Sequence, residues 1–241
     1  YGKTVILTRD IDLGNQEWTP IGFSYKTFRG IFDGQGHIIS NLYISSNGSA
    51  GFFGYLTATV VKNLNVSGNI AVTLTNHYVE YSQEGSFAGG LAYASCGCAI
   101  INCSTDVTMN VTAANIQNNH NKLCSFYIGG LVGCLTAPTN DDGYGVVNCY
   151  SRGSVTVTAN NDLGYLYVGG LVGGLSKPQN SNYISVCENW YADCPVTISG
   201  DSVGKSQNKW LGAVIGGKVD ECTADNCFWS TDKTSCSGIG S

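Results

Sequence analysis

Charged residues are scarce in this sequence, and those of one sign do not cluster. The 241 residues include 12 Lys and Arg and 17 Asp and Glu, which gives a formal net charge of −5. Proteins that bind nucleic acids or anionic membranes usually present a basic patch or stripe. The sequence lacks one, so we expect neither a nucleic acid nor a membrane surface as the main partner.

Long apolar runs and helical periodicity are also missing. No stretch approaches the roughly 18 apolar residues that a membrane span needs, so we expect no membrane insertion. Met occurs once, and no segment keeps apolar residues at the i, i+3, i+4, i+7 spacing of an amphipathic helix. Val, Ile, Thr and Tyr instead alternate with small polar residues, which predicts an all-β protein. No signal peptide precedes the first strand-like segment, so we expect a processed piece of a longer chain.

A glycine-rich motif recurs along the chain. It reads YVGGLVGG at 167–174 and YIGGLVGC at 127–134, with a looser copy, FAGGLAYA, at 87–94 and degenerate copies at 49–56 and 211–218. The position shared by Gly51, Gly90, Gly130, Gly170 and Ala213 recurs at intervals of 39, 40, 40 and 43 residues. A constant period of this length predicts a repeat protein, in which each unit buries its core against its neighbours.

A second periodic feature is an Asn followed by an apolar residue, and a Val-rich segment comes after it. Three short strands per repeat predict a right-handed parallel β-helix of about six coils. The asparagines would then form a hydrogen-bonded ladder at one bend; they are Asn41, Asn63, Asn102, Asn148, Asn189 and Asn226. We predict one domain over 1–241, with an N-terminal cap and first strand at 1–26, repeat coils at 27–219 and a C-terminal cap at 220–241.

Insertions between the strands fall on two edges of the predicted helix, and variable loops on a rigid scaffold commonly carry binding. Tyr side chains near Asn and Asp suit a sugar or a protein ligand through stacking and hydrogen bonding. The candidate binding residues in or beside these loops are Tyr78, Tyr81, Tyr144, Tyr165, Tyr183, Asp141 and Asp142, and Tyr127 lies close to them in sequence. The alternatives are tyrosines that cover the rim of the core and a solvated turn at the two acids.

The sequence contains eleven cysteines, a number that suggests disulfides in a secreted protein. Cys103, Cys149 and Cys227 follow ladder asparagines and share their position with apolar residues, so we predict a core role for them. The better disulfide candidates are Cys124, Cys187, Cys194, Cys222 and Cys236. Cys96 and Cys98 form a single CxC without a partnering His, so we expect no metal site and no cofactor.

Nothing in the pattern of acids or histidines predicts catalysis. Many parallel β-helix proteins degrade polysaccharides, but that chemistry needs acids that recur on one face of the helix, and here they do not recur. Asp10 and Asp12 lie in the opening strand, where a structural role is expected. His37, His77 and His120 lie in a turn and in loops without a nearby nucleophile motif, so solvated histidines are expected.

The two central glycine motifs, the segment NCYSRGSVTV from Asn148 and the opening TRDIDLGNQEWTPIG…FRGIFDGQGHIISNLYI resemble bacterial GLUG-motif surface proteins. The resemblance covers nearly the whole chain and weakens after about Ile198. It implies a parallel β-helix in a secreted or surface-anchored, adhesin-like bacterial protein, and it supplies no catalytic residues. Longer loops and more cysteines set this chain apart from the family.

The sequence therefore predicts a non-catalytic, adhesin-like domain of a bacterial cell-surface or secreted protein. We expect it to bind a host or matrix glycan or a protein through one loop-bearing edge, and to be joined to other domains of a larger surface protein. The alternatives are a polysaccharide-degrading lyase or hydrolase and a passive structural spacer.

Overall fold

The structure is a computed structural model that describes residues 2–22, 26–75, 85–114, 125–136, 145–160, 163–176, 186–200, 209–218 and 224–240. All of the regular elements in these residues are β-strands, and the strands pair in parallel from one coil to the next. The predicted parallel β-helix is confirmed. No helix in the described ranges is long and apolar enough to span a membrane.

The described residues form seven coils that contain 22 strands. Coil 1 contains β1 (Lys3–Ile6) and β2 (Ile11–Asp12). Coil 2 contains β3 (Gly30–Asp33), β4 (Ile38–Asn47) and β5 (Phe53–Thr57). Coil 3 contains β6 (Val60–Lys62), β7 (Asn65–Thr75), β8 (Ser86–Gly89) and β9 (Ala92–Cys96). Coil 4 contains β10 (Ala99–Ile101), β11 (Ser104–Ala114), β12 (Ser125–Gly129) and β13 (Val132–Thr136). Coil 5 contains β14 (Gly145–Val147), β15 (Tyr150–Asn160), β16 (Tyr165–Gly169) and β17 (Val172–Ser176). Coil 6 contains β18 (Val186–Ala192), β19 (Val196–Ser199), β20 (Lys209–Gly212) and β21 (Ile215–Lys218), and coil 7 contains β22 (Asp225–Trp229).

The strands stack into three sheets. A 13-stranded sheet holds the short strands before the Asn bend and the long strands after it, a four-stranded sheet holds β8, β12, β16 and β20, and a five-stranded sheet holds β5, β9, β13, β17 and β21. A complete coil therefore has four strands, not the three expected from the sequence. The residues after Asn and the Val-rich residues form one long strand, as in β15, which pairs with β11 without a break from Tyr150 to Asn160.

The glycine motif supplies two strands because it turns a corner between them. In coil 4 this corner is Gly130-Leu131, between β12 and β13. A Cβ on Gly130 would overlap the carbonyl oxygen of Gly170 in the next coil, so only glycine lets the two backbones approach this closely. The carbonyl of Gly130 itself accepts a hydrogen bond from the hydroxyl of the buried Thr105 at 2.9 Å. Burial of the corner therefore leaves its polar group satisfied.

An asparagine ladder runs along the bend of the 13-stranded sheet. Its side-chain amides form a continuous chain of hydrogen bonds from coil 2 to coil 7: Asn63 to Asp33 (3.1 Å), Asn102 to Asn63 (3.1 Å), Asn148 to Asn102 (3.1 Å), Asn189 to Asn148 (2.8 Å) and Asn226 to Asn189 (3.3 Å). All five asparagines have φ between 51° and 57°. Asn is the side chain besides Gly that enters this left-handed region most readily, so one residue type serves both the bend and the ladder.

Asn41 lies outside this ladder, which corrects the expectation that it would be the first member. The foot of the ladder is Asp33, because the turn after Asp33 takes the place of the Asn bend in coil 2. The Asn41 amide instead donates to Asp12 of coil 1 at 2.8 Å. The pairing of β4 with β7 shifts register between Ile39 and Leu42, which gives Asn41 a separate bend of its own.

The core lies between the sheets and consists of stacked apolar side chains. The residues after the ladder asparagines form one inward column: Leu64, Cys103, Cys149, Trp190 and Cys227. Cys103 and Cys149 are buried, and the half-buried Cys227 packs against the core, as predicted. Trp190 is fully buried, and its indole N–H donates to the carbonyl of Val146 at 2.8 Å, which satisfies its one polar group.

Both ends of the chain join the stack. In the predicted N-terminal cap, β1 pairs with β3 and β2 pairs with β4, so the described residues of 1–26 include strands of coil 1. In the predicted C-terminal cap, β22 pairs with β18, and Ile239 forms a bridge to Ile215. Each end coil covers the core of its neighbour and leaves its own outer edge without a further strand among the described residues.

Candidate functional site

Most of the predicted binding residues lie outside the described residues: Tyr78, Tyr81, Tyr144, Tyr183, Asp141 and Asp142. His77, His120, Cys124 and Cys222 also lie outside them. Tyr165 is described. It begins β16, and 41% of its surface is exposed. The four-stranded sheet around Tyr165 is therefore the part of the predicted binding edge that the structure describes.

An aromatic ladder, formed by Phe87, Tyr127, Tyr167 and Trp210, lines the outer face of this sheet. The four side chains occupy equivalent positions on β8, β12, β16 and β20. Successive ring centroids are 5.5, 4.8 and 4.7 Å apart, with interplanar angles of 16°, 5° and 13°. In-register parallel pairing thus stacks one ring on the next over four coils.

The second glycine pair of the motif makes room for this ladder. A Cβ on Gly174 would lie 2.6 Å from Cδ1 of Tyr127, and a Cβ on Gly217 would lie about as close to the Tyr167 ring. Each ring therefore lies over a glycine of the following coil. This contact links the two recurring parts of the motif, the aromatic residue and the later Gly-Gly.

Stacking uses most ring faces inside the ladder, so the ladder mainly presents ring edges and phenol hydroxyls. Trp210 is the last rung, and Tyr165 also stacks with it, at 6.0 Å between centroids and an angle of 21°. At the other end Phe87 stacks with Tyr93 at 6.3 Å and 13°. Exposure is greatest at Tyr165. Tyr165, together with the ladder residues Tyr167 and Trp210, is therefore the part of this face best placed to contact a ligand, and we call these three residues the terminal aromatic group.

Little charge surrounds the ladder. The strands β8, β12, β16 and β20 contain no acidic residue, and Lys209 is their one basic residue. Burial, followed by the neighbouring Cys134 thiol, raises the pKa of Tyr127 to about 12, and burial also raises the pKa of Tyr167. Both phenols stay neutral at physiological pH. The described surface is therefore suited to stacking and to neutral hydrogen bonds.

Sequence reasoning identified Tyr165 but missed three members of the ladder. Only Tyr127 was singled out, because it lies beside an insertion. Phe87, Tyr167 and Trp210 open the motif copies FAGG, YVGG and WLGA, just as Tyr127 opens YIGG. Alignment of the motif copies on their first aromatic residue would have revealed the column. A ring at the same position of every repeat must stack when the repeats pair in register.

The long strands carry an uncharged groove on their outer face. This shallow groove of about 280 Å³ lies across β7, β11 and β15, and its polar side chains are Thr73, Asn110, Thr112, Thr156 and Thr158. The hydroxyls of Thr197 and Thr156 bond across neighbouring coils at 3.3 Å. This groove has hydroxyl and amide groups but no ring, so it lacks the stacking surface that the terminal aromatic group provides.

The acids of the first coils have structural partners. Asp10 accepts hydrogen bonds from the backbone of Ile38 and contacts Nδ1 of His37, both at 3.0 Å. Asp12 accepts from Asn41 and from the backbone of Gly14 at 2.7 Å. The contact to Asp10 corrects the expectation of a merely solvated His37. Within the described ranges, no three His, Cys, Asp or Glu side chains converge as a metal site would require.

The described disulfide candidates do not form disulfides in this structure. Cys194 is buried and carries a free thiol, as does the half-buried Cys236. Cys187 lies in the core, in register with Val146. Burial raises the pKa of the Cys194 thiol to about 12, which leaves it almost wholly protonated and unreactive.

Comparison with known proteins gives one similarity of fold. No family model matches the sequence, and no curated protein matches it. The fold is similar to that in the crystal structure of a "putative immunoglobulin A1 protease" from Bacteroides ovatus, with a TM-score of 0.52 and 20% sequence identity. The match covers 95% of this chain and 69% of the Bacteroides chain. Identity this low supports the β-helical fold alone.

Proposed function

We propose that this chain is a non-catalytic, adhesin-like domain of a bacterial cell-surface or secreted protein, and that it binds its ligand at the edge formed by the four-stranded sheet. The observation that carries the proposal is the aromatic ladder, whose last rung, Trp210, also stacks with the exposed Tyr165. A glycan is the first ligand to test, since aromatic rings and phenol hydroxyls recognise a sugar without charge.

The glycine and Asn motifs support placement near GLUG-motif surface proteins, and that resemblance is the basis for the proposed bacterial surface location and for further domains in a larger protein. The low charge supports a partner other than nucleic acid, and no step of the proposal requires membrane insertion or a cofactor. A passive spacer would have no use for an exposed ring at Tyr165, so ligand binding distinguishes the two.

An enzyme is the second candidate, because the similar Bacteroides structure is described as a protease. The described acids give this candidate little support. Asp10 and Asp12 accept hydrogen bonds from coil 2, and Asp33 is the foot of the asparagine ladder. Carboxylates held in this way are poorly placed to move protons or to attack a substrate. The same reasoning applies to a polysaccharide lyase or hydrolase.

The test is a glycan-array screen of the purified chain, followed by titration of the best ligand. Tyr165→Ala and Trp210→Ala should each weaken binding at least tenfold. The matched control is Tyr191→Ala, because Tyr191 is 42% exposed but lies on β18 of a different sheet. An equal loss in the control would overturn the assignment of the edge.

Two further measurements separate the alternatives. If no glycan binds, capture of host-surface proteins by the wild type but not by Tyr165→Ala would identify a protein ligand at the same edge. Incubation with immunoglobulin A1 and with acidic and neutral polysaccharides tests catalysis. Release of new fragments by the wild type would replace the non-catalytic proposal.

A further inference from the structure

Two buried cysteines occupy successive rungs of the inward column. Cys103 follows Asn102 at the bend of coil 4, and Cys149 follows Asn148 at the bend of coil 5. The adjoining residues Ser104 and Tyr150 pair in register, and the Tyr150 N–H donates to the Cys103 carbonyl at 3.2 Å. Cys103 and Cys149 are therefore direct neighbours on adjacent strands. Their side chains are 0% and 1% exposed.

Both sulfur atoms lie in the buried core column, and burial, together with the electrostatic effect of the neighbouring Cys103, holds the pKa of the Cys149 thiol well above its ordinary value. The Cys149 thiol donates to the carbonyls of Val147 and Ile100, at 3.2 and 3.5 Å. The Cys103 thiol donates to the carbonyls of Ile101 and Val61, at 3.3 and 3.6 Å. Neighbouring strands lie about 4.8 Å apart, which falls within the Cα separation of roughly 4.4–6.8 Å that disulfides span.

We propose that Cys103 and Cys149 are a disulfide-forming pair that cross-links coil 4 to coil 5. A thiolate of one cysteine attacks the disulfide of an oxidant, a low-molecular-weight or protein disulfide, and releases one thiol of the oxidant. The other thiolate then attacks the mixed disulfide and releases the second thiol. The pair loses two protons and two electrons, and the oxidant gains them.

The bond forms while the coils are assembling. Once the chain has folded, both sulfurs are inaccessible, so neither oxidant nor reductant reaches them. The redox conditions in which the chain folds therefore fix the state of the pair. The bond would close a long loop between two coils, and cross-links of long loops restrict the unfolded chain most strongly.

Cys134 and Cys227 do not pair in register with a cysteine of an adjoining coil. Cys134 pairs in register with Ala94 and Gly174, and its thiol lies 4.0 Å from the hydroxyls of Thr136 and Ser176. Cys227 pairs with Trp190, so a tryptophan separates it from Cys149. A cysteine that follows a ladder asparagine is thus not sufficient for a disulfide. The same position of an adjoining coil must also hold a cysteine.

The test is oxidative refolding followed by thiol mapping. Reduced, denatured protein is refolded in a buffer of oxidised and reduced glutathione, and a second sample is refolded in reductant alone. Remaining thiols are alkylated in denaturant, and tryptic peptides are analysed by mass spectrometry. We expect a cross-link between the peptides 63–122 and 123–152, localised by fragmentation to Cys103 and Cys149, with two alkylated cysteines fewer. The oxidised form should melt about 10 °C higher than the reduced form.

Cys103→Ala and Cys149→Ala should each abolish the cross-link and the difference in melting temperature. Cys227→Ala is the matched control, because it occupies the same column beyond Trp190, and it should retain both. Full alkylation of Cys103 and Cys149 in the wild type after oxidative refolding would overturn the proposal. The wild-type map decides this point even if a variant folds poorly.

Discussion

The ring of Tyr127 lies over Gly174, a residue one coil further along the stack, and leaves no space there for a Cβ. Replacement by alanine would put that Cβ 2.6 Å from Cδ1 of Tyr127. The ring has little freedom to yield, because it is stacked between Phe87 and Tyr167. The motif glycine is therefore required by an aromatic side chain of another repeat.

We predict that Gly174→Ala lowers the free energy of unfolding by about 1–3 kcal/mol, as overpacking does, and weakens the near-ultraviolet circular dichroism of the stacked rings. Cys134→Ala is the control, since Cys134 already carries a Cβ at the matching position one coil earlier. It should cost less than Gly174→Ala. Equal stability of Gly174→Ala and the wild type in urea titrations would show that the ring can move aside.

Asn148 combines a bend and two ladder bonds, and two substitutions separate these roles. Asn148→Ala loses the bonds to Asn102 and Asn189 and puts alanine at a φ of 54°. We predict a loss of about 2–4 kcal/mol in the free energy of unfolding. Glycine adopts this backbone conformation without strain but also lacks the side-chain amide. Asn148→Gly should therefore lower the free energy of unfolding by roughly half as much as Asn148→Ala. Equilibrium unfolding in urea measures both, and identical losses would assign the whole effect to the amide.

Asp33 should make stability depend on acid pH. Burial opposes its charge, but hydrogen bonds from Gln35, Asn63 and Lys62 outweigh burial and lower the pKa of Asp33 to about 2. In the unfolded chain the pKa of Asp33 is higher, near the ordinary aspartate value of 3.8. The stabilisation is therefore fully present above about pH 4 and is lost as the pH falls through 2. We expect it to be about 1–2 kcal/mol.

The check is the midpoint of urea unfolding between pH 5 and pH 2 for the wild type and Asp33→Asn. The variant should be less stable at pH 5 and should show a smaller decrease towards pH 2. Parallel pH curves for the two proteins would mean that Asp33 does not contribute to the acid dependence.

Tyr127 should act at the opposite end of the pH scale. Its pKa is raised from 10.0 to about 12 in the fold, so the unfolded chain releases this proton first. Stability is complete below pH 10 and declines as the pH rises from 10 towards 12. Tyr127→Phe keeps the ring in the ladder and removes the phenol hydroxyl. Its melting temperature should therefore fall less steeply than that of the wild type as the pH rises through this range. Thermal melts at pH 9 to 11.5 measure the slope, and an unchanged slope would contradict the assignment.

Periodic features of the fold were readable from the sequence, and features that depend on contact between repeats were not. The Asn at each bend recurs with an apolar residue after it, so Asn63 and Asn102 could be placed on one ladder. Asn41 has the same local sequence but a different neighbour, because Asp33 already occupies the bend of its coil. Local sequence does not reveal which residue of the previous coil lies beneath a given side chain.

The candidate site shows the same division. Tyr165 was found because it adjoins an insertion, whereas Trp210 was missed because the copy of the motif at 211–218 was read from Leu211, one residue after the ring. The split of the glycine motif into two strands also depends on three dimensions. The corner at Gly130 is defined by the carbonyl of Gly170 above it, a contact between residues 40 positions apart in the chain.

In-register stacking has an evolutionary consequence. Gain or loss of one whole coil leaves every remaining strand with a partner of the same type, and it changes the length of the molecule by one strand spacing of about 4.8 Å. Duplication or deletion of one repeat is therefore a tolerated step, whereas an insertion of a few residues is tolerated only between strands. A lineage can adjust the reach of such a rod through its number of repeats and diversify its contacts through the loops, because the two kinds of change act on separate parts of each coil.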